Sequence, residues 1–132
     1  MGARDAVIIG YDAVSPLGCD LDDQWRRALA GESGIGPLTR FALPDDFPVN
    51  VAGQVPKIDG EEYPFLAARH LAAWSSPGFK YSLLTTVRAL ERSNVEITPE
   101  LAPRVGVTYS SAIGGLDAVL NADRRLRDEH RL

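Results

Sequence analysis

The chain has few of the residues that build cross-linked or metal-bound sites. Among its 132 residues there are one cysteine, one methionine and two histidines. A single cysteine excludes an internal disulfide, and Cys19 leaves the redox compartment open, with the cytoplasm as the default. No apolar run approaches the ~20 residues that cross a bilayer, and the apolar stretch at 6–9 is too short for a signal peptide. We therefore expect a soluble cytoplasmic protein that does not contact a membrane.

The chain also lacks a run of charge of one sign. It carries 14 Lys and Arg against 18 Asp and Glu, for a net charge of −4. This balance gives no reason to expect nucleic-acid binding. A hydrophobic content of 45% and a charged content of 24% are typical of an ordinary globular chain. The length indicates one domain with a moderate core.

No set of reactive side chains forms a catalytic centre in the sequence. A cysteine nucleophile needs a low pKa and a nearby base, and Asp20 next to Cys19 would raise the pKa of its thiol. His70 and His130 have no metal-ligand spacing with other residues. We therefore predict no metal, no cofactor and no catalytic residue in this chain.

The hydrophobic pattern predicts an α/β protein. Residues 6–9 and 105–109 are predicted buried strands. Asp20 is the predicted N-cap of a first helix whose apolar face contains Leu21, Trp25, Ala28 and Leu29 and which Gly31 ends. Further helices are predicted over 64–73, over 77–94 after the N-cap Ser76, and from about 114 onward. These elements alternate as they do in an α/β domain.

Two stretches leave alternatives open. Gly114 and Gly115 follow the strand at 105–109, where they can expose backbone N–H groups to an anion or allow close helix–strand packing; the spacing fits no known phosphate loop. Residues 32–60 are rich in Gly and Pro and predict a long ordered loop with extended pieces at 38–41 and 49–55, which is typical of a functional or partner-covered segment. The sequence contains no stop signal for the last helix. Four explanations stay open for this: a natural end, a truncation, a cleavage product and one half of a split protein.

A set of short motifs, in the same order along the chain, carries a family resemblance. They are VIIG at 7–10, VSPLG at 14–18, Trp25, LAG at 29–31, SGIGPLTRF at 33–41, AG at 52–53, RVGV at 104–107 and IGG at 113–115. Together they resemble the N-terminal portion of the β-ketoacyl-acyl carrier protein synthases, the condensing enzymes of fatty acid and polyketide synthesis. The resemblance covers nearly all of residues 1–132 and implies a thiolase-like fold, with mixed sheets flanked by helices, that usually dimerises.

The resemblance also implies which functions the chain lacks. Members of the family load an acyl chain on a cysteine and join it to malonyl carrier protein by decarboxylative Claisen condensation. Their cysteine and both catalytic histidines come after the matched region, so Cys19, His70 and His130 inherit no role. The chain is therefore expected to be inactive alone.

Two residues inherit a role by position. Ile113, in the IGG motif, corresponds to the acyl pocket near the dimer interface, where a branched side chain can limit chain length. Arg69 is the cation retained from a basic segment that helps to dock the acidic acyl carrier protein.

The segment 66–79 departs from the active synthases. Leu66, Leu71 and a Ser-Ser-Pro turn at 75–77 replace most of its basic character, which is similar to chain-length factors, the non-catalytic partners of ketosynthases. We therefore predict a chain-length-factor-like segment that shapes an acyl tunnel, completed by a ketosynthase-like subunit in a hetero- or homodimer or by the C-terminal part of the same fold. The alternatives are the N-terminal part of an active synthase and a half-fold that serves as a scaffold. The residue at the downstream nucleophile position, Cys in a synthase and often Gln in a chain-length factor, would separate the first two.

Overall fold

The computed structural model describes residues 5–58, 63–67, 76–112 and 114–129. The chain divides into two compact units, one formed by Asp12–Lys57 and the other by Met1–Tyr11 together with Ile58–Leu132. Each unit is described by itself. Among the described residues, no helix is both long and apolar enough to cross a membrane.

Helix α1 of the Asp12–Lys57 unit spans Leu21–Leu29. The side chain of Asp20 accepts a hydrogen bond of 2.8 Å from the backbone N–H of Asp23, which confirms the predicted N-cap. Asp22 and Asp23 stand in the first turn, where the helix dipole favours acidic groups. The helix ends at Leu29, two residues before Gly31, the residue predicted to end it, which has a φ of +75°.

The face that α1 buries is not the predicted one. Gln24 is only 7% exposed, whereas Trp25 and Leu29 of the predicted inner face are 66% and 71% exposed. The Gln24 side-chain amide donates a 2.8 Å hydrogen bond to the Ala13 carbonyl oxygen. The Arg27 guanidinium donates to the Leu17 carbonyl oxygen and pairs with Glu32. These polar contacts hold the helix against residues 13–17, and the apolar face points outward.

We expect Gln24→Ala to lower the free energy of unfolding by about 1–2 kcal/mol, because the substitution removes a part-buried hydrogen bond made by a buried side chain. Urea unfolding followed by circular dichroism measures the change. Arg26→Ala, at an exposed position on the same helix, is the control and is expected to change the free energy by less than about 0.5 kcal/mol. Equal effects of the two variants would contradict the anchoring role of Gln24.

Strands β1 (Ile35–Pro37) and β2 (Val51–Gly53) form an antiparallel pair within the Gly- and Pro-rich segment. The Gln54 side chain fastens the loop beyond β1: its amide nitrogen donates to the Pro37 carbonyl oxygen at 2.9 Å, and its oxygen accepts from the backbone N–H groups of Thr39 and Arg40 at 3.2 Å. The predicted extended piece at 49–55 contains β2. The one at 38–41 is not a strand, since the paired residues lie just before it.

The second unit is built on helix α2, Pro77–Ser93. Its bounds agree with the prediction: Pro77 occupies the first turn, and Asn94 ends the helix with a φ of 54°. The N-cap is Ser76, although its side chain makes no capping hydrogen bond. Of the helix predicted over 64–73, the structure has a 3-10 helix at Pro64–Ala67, and residues 68–73 lie outside the described ranges.

After α2 the chain forms a 3-10 helix at Ala102–Arg104 and helix α3 at Leu116–Glu129. The Arg127 guanidinium and the Asp123 carboxylate on α3 are 3.0 Å apart and form an i,i+4 ion pair on the helix surface. On α2, Leu84 is completely buried. Residues 5–11 contact the same helix at Gly10, which lies so close to α2 that an added Cβ atom would be 2.3 Å from the Ala89 carbonyl oxygen. The interior of this unit is therefore organised around α2.

The two predicted central strands are not paired in the described part of the chain. Residues 6–9 and 105–109 lie outside any ladder there, and the sheet consists of β1 and β2. Val7, Ile8 and Val107 are 75%, 87% and 78% exposed. A strand needs a neighbour to satisfy its N–H and C=O groups, and an apolar run of this kind is normally covered on both faces. The larger mixed sheet stays a prediction from the family resemblance.

Candidate functional site

A depression of about 360 Å³ lies where the start of α2 meets the glycine-rich turn before α3. This volume is within the range of about 300–1,000 Å³ typical of small-molecule sites. Its described lining consists of Ser76, Gly78, Phe79, Tyr109, Ser111, Gly114 and Gly115.

Three local features of the backbone form this depression. Pro77 begins α2 and places Gly78 and Phe79 in its first turn. A Cβ atom added to Gly78 would lie 3.7 Å from the Tyr109 hydroxyl oxygen, so the glycine leaves the space between helix and tyrosine open. Gly115 has a φ of +82° and makes the turn into α3, a conformation that side chains disfavour. The depression thus lies where Tyr109, the glycine turn before α3 and the first turn of α2 come together.

The chemistry of the lining favours binding over proton transfer. The described lining residues offer two aromatic rings, three hydroxyls and glycine backbone, without a carboxylate, imidazole, thiol or cationic side chain. The Thr98 hydroxyl donates to the exposed Glu100 carboxylate and holds its pKa below the ordinary value, but these residues are not part of the lining. An apolar ligand with a polar end suits such a surface.

The predicted site residues fall mostly beyond the described part. Ile113 lies outside the described residues, although its neighbours Ala112 and Gly114 are within them. Arg69, His70 and His130 are also outside the described residues. Cys19 is half-buried in the Asp12–Lys57 unit, just before the N-cap of α1.

Phe79 and Tyr109 are site residues that the sequence pattern did not predict. Phe79 belongs to the apolar stripe of α2 and Tyr109 to a predicted strand, so both were expected to pack in a core. The available signal was the run of small residues that surrounds Tyr109 and Ile113, namely 110–112 and 114–115. Small residues beside an isolated aromatic side chain leave room for a ligand.

Comparison with known proteins places these features in context. The family model described as "Beta-ketoacyl synthase, N-terminal domain" matches residues 3–131. The chain is similar to the 3-oxoacyl-[acyl-carrier-protein] synthase 2 of Coxiella burnetii, with 38% identity over 117 residues, which are 88% of this chain and 27% of that protein. The corresponding protein of Vibrio harveyi is 34% identical over 119 residues, 90% of this chain and 28% of its own. The corresponding protein of Staphylococcus aureus strain COL is 29% identical over 127 residues, which are 96% of this chain and 30% of that protein. The chain thus spans less than a third of these relatives.

Proposed function

The chain belongs to the β-ketoacyl synthase family, and we propose that it forms part of the wall of an acyl tunnel in a ketosynthase-type assembly. The observation that carries the proposal is the depression bordered by Phe79, Tyr109 and the residues on either side of 113. We propose that an acyl chain lies against these side chains and that Ile113 limits its length. This is consistent with an apolar lining whose described residues have hydroxyl groups but no acid or base.

The proposed assembly elongates acyl chains by decarboxylative Claisen condensation. The acyl group leaves its thioester sulfur and bonds to the carbanion that forms when a malonyl thioester on a carrier protein loses carbon dioxide. The names of the relatives, 3-oxoacyl-[acyl-carrier-protein] synthases, describe enzymes that make the resulting 3-oxoacyl thioester. In this reaction we assign to the present chain the positioning of the acyl group, and no bond-making step.

The chain-length-factor-like role is our preferred form of this proposal, with residues 1–132 as the N-terminal part of one thiolase-like domain. It is supported by the altered segment at 66–79, in which Arg69 remains as the proposed contact for an acidic carrier protein. A second form is the N-terminal part of an active synthase, which the names of the curated relatives favour. The residue at the nucleophile position of the completing polypeptide separates the two, since only a cysteine there can accept the acyl group.

We expect Gly78→Leu to weaken the binding of a long acyl chain selectively. Leucine is a good helix former and would project toward Tyr109 and fill the depression. Affinities of the chain for decanoyl- and butanoyl-pantetheine are measured by isothermal titration calorimetry. The decanoyl affinity is expected to fall about tenfold, the equivalent of roughly two buried methylene groups, with little change for butanoyl.

Gly106→Leu is the matched control, because a Cβ atom at Gly106 meets no atom of the described residues within 4 Å. It should leave both affinities unchanged. Equal loss of both acyl ligands in Gly78→Leu, or the same loss in the control, would refute the assignment of the depression to the acyl chain.

A further inference from the structure

The depression beside α2 contains three hydroxyl groups within an otherwise apolar lining. They belong to Ser76, Tyr109 and Ser111. In the described part of the chain, none of these hydroxyls has a hydrogen-bond partner, and Ser76 does not use its side chain to cap α2. We infer, on the basis of the proposed function, that the acyl chain received here carries keto groups along its length and that Tyr109 selects it over a saturated chain.

The hydroxyls of Tyr109 and Ser76 border the same space over the first turn of α2. A Cβ atom added to Gly78 would lie 3.7 Å from the Tyr109 hydroxyl oxygen and 3.9 Å from the Ser76 Oγ atom. The Ser111 Oγ atom borders the turn before α3, since it would lie 2.7 Å from a Cβ atom added to Gly114. Because Gly78 and Gly114 have no side chain, the three hydroxyls stay accessible from the depression.

Tyr109 brings a polar atom to the end of an apolar segment. Val105 and Val107 precede it at every second position, and phenylalanine would continue that apolar pattern. Tyrosine adds a phenolic O–H group, which can donate one hydrogen bond and accept others. Tyr109 is 57% exposed, so an acyl chain that enters the depression displaces water from it.

Covering these hydroxyls with a saturated chain carries a free-energy cost. Each hydroxyl would exchange water for methylene groups, which neither donate nor accept a hydrogen bond. A keto oxygen instead accepts a hydrogen bond from the tyrosine O–H group, so the polar atom keeps a partner when water leaves. A site that hydrogen-bonds a substrate oxygen discriminates strongly against the analogue that lacks it. The three hydroxyls therefore favour a keto-bearing chain over a saturated one.

The proposed condensation accounts for the origin of such keto groups. Each round adds two carbons from the malonyl unit and leaves the former thioester carbonyl as a ketone at the third carbon of the new chain. When no reduction follows, ketones remain on alternate carbons as the chain grows. The inferred substrate is therefore a chain that an earlier condensation has extended and that no reducing enzyme has made saturated.

The test compares three ligands of equal length, decanoyl-, 5-oxodecanoyl- and 7-oxodecanoyl-pantetheine, by isothermal titration calorimetry. The two oxo ligands differ from decanoyl by one ketone, so chain length is held constant. We expect Tyr109→Phe to lower the affinity for at least one oxo ligand about five- to tenfold, the effect of one lost hydrogen bond. The decanoyl affinity should stay unchanged or rise, because the variant no longer buries a hydroxyl beneath a saturated chain.

Tyr11→Phe is the matched control for the loss of a phenolic hydroxyl. Tyr11 is 69% exposed and is not part of the lining of the depression, so all three affinities should stay the same. Ser76→Ala is the second variant, and it should leave α2 intact because the Ser76 hydroxyl makes no capping bond. It is expected to lower the affinity for an oxo ligand several-fold without changing that for decanoyl.

The possible outcomes separate this inference from the proposed function. If Tyr109→Phe changes the affinities for decanoyl and both oxo ligands equally, or changes none of them, Tyr109 does not select keto groups, although decanoyl binding still supports an acyl site. An equal loss of oxo-ligand affinity in Tyr11→Phe would also overturn the inference. If the unsubstituted chain binds none of the three ligands, both the proposed acyl site and the inference fail.

Discussion

Replacing Leu84 with alanine is expected to lower the free energy of unfolding of the α2 unit by about 2–5 kcal/mol. Leu84 has no exposed surface, and it is the apolar side chain that the described residues bury completely. The substitution removes its contacts and leaves a cavity that a helix side chain cannot close by a small shift. Urea unfolding monitored by circular dichroism at a helix wavelength measures the loss.

Leu90→Ala is the matched control for this prediction. Leu90 lies on the same helix and is 40% exposed. Its replacement by alanine removes the same number of atoms as the replacement of Leu84. Its expected cost is less than about 1 kcal/mol. If the two variants were equally stable, Leu84 would not be the centre of this unit.

The substitution Gly10→Ala is expected to detach residues 5–11 from α2. An added Cβ atom would lie 2.3 Å from the Ala89 carbonyl oxygen and 2.9 Å from the Ser93 Cβ atom, distances at which one of the two backbones must move. Overpacking of this kind costs about 1–3 kcal/mol. Hydrogen exchange measured by mass spectrometry should show faster exchange in residues 5–11 and in the last turns of α2.

Gly106→Ala separates this contact from the general effect of removing a glycine. Gly106 lies in the other apolar segment, residues 105–109, where a Cβ atom meets no atom in the described part of the chain within 4 Å. Loss of unfolded-state entropy then leaves the protein unchanged or more stable by about 0.4–1 kcal/mol. Destabilisation by both variants to the same degree would argue against the contact between Gly10 and α2.

These two predictions also bear on the proposed acyl site, because helix α2 carries the contacts that they change and part of the lining of the depression. Its first turn supplies Gly78 and Phe79 to the depression, its middle contributes Leu84, and its last turns contact Gly10. Loosening the helix at its middle or end should therefore also reduce acyl affinity, even though neither Leu84 nor Gly10 lines the depression. Such a loss would affect short and long acyl chains alike, unlike the selective effect of Gly78→Leu.

Local chemistry was sufficient to predict helices α1, α2 and α3. The carboxylate of Asp20 caps α1 across three residues, Pro77 begins α2, and Asn94 ends it in the left-handed region. Each of these signals acts within a few residues of the chain and does not depend on what packs nearby. The family itself was also evident from short motifs in a fixed order, and the match over residues 3–131 confirms it.

Contacts between distant segments decided the rest. Which face of α1 turns inward depends on Gln24 reaching Ala13 and Arg27 reaching Leu17, eleven and ten residues apart, whereas periodicity alone indicated the face that contains Trp25 and Leu29. Strand pairing depends on a neighbour that no local pattern supplies, so β1 and β2 pair while residues 6–9 and 105–109 do not in the described part. The depression arises where Tyr109 approaches Gly78 across thirty-one positions of sequence. The sequence by itself determined helices α1, α2 and α3 and the family, because these follow from local interactions and motif order. The tertiary structure alone determined the exposed face of α1 and the lining of the depression, because these depend on which distant groups meet.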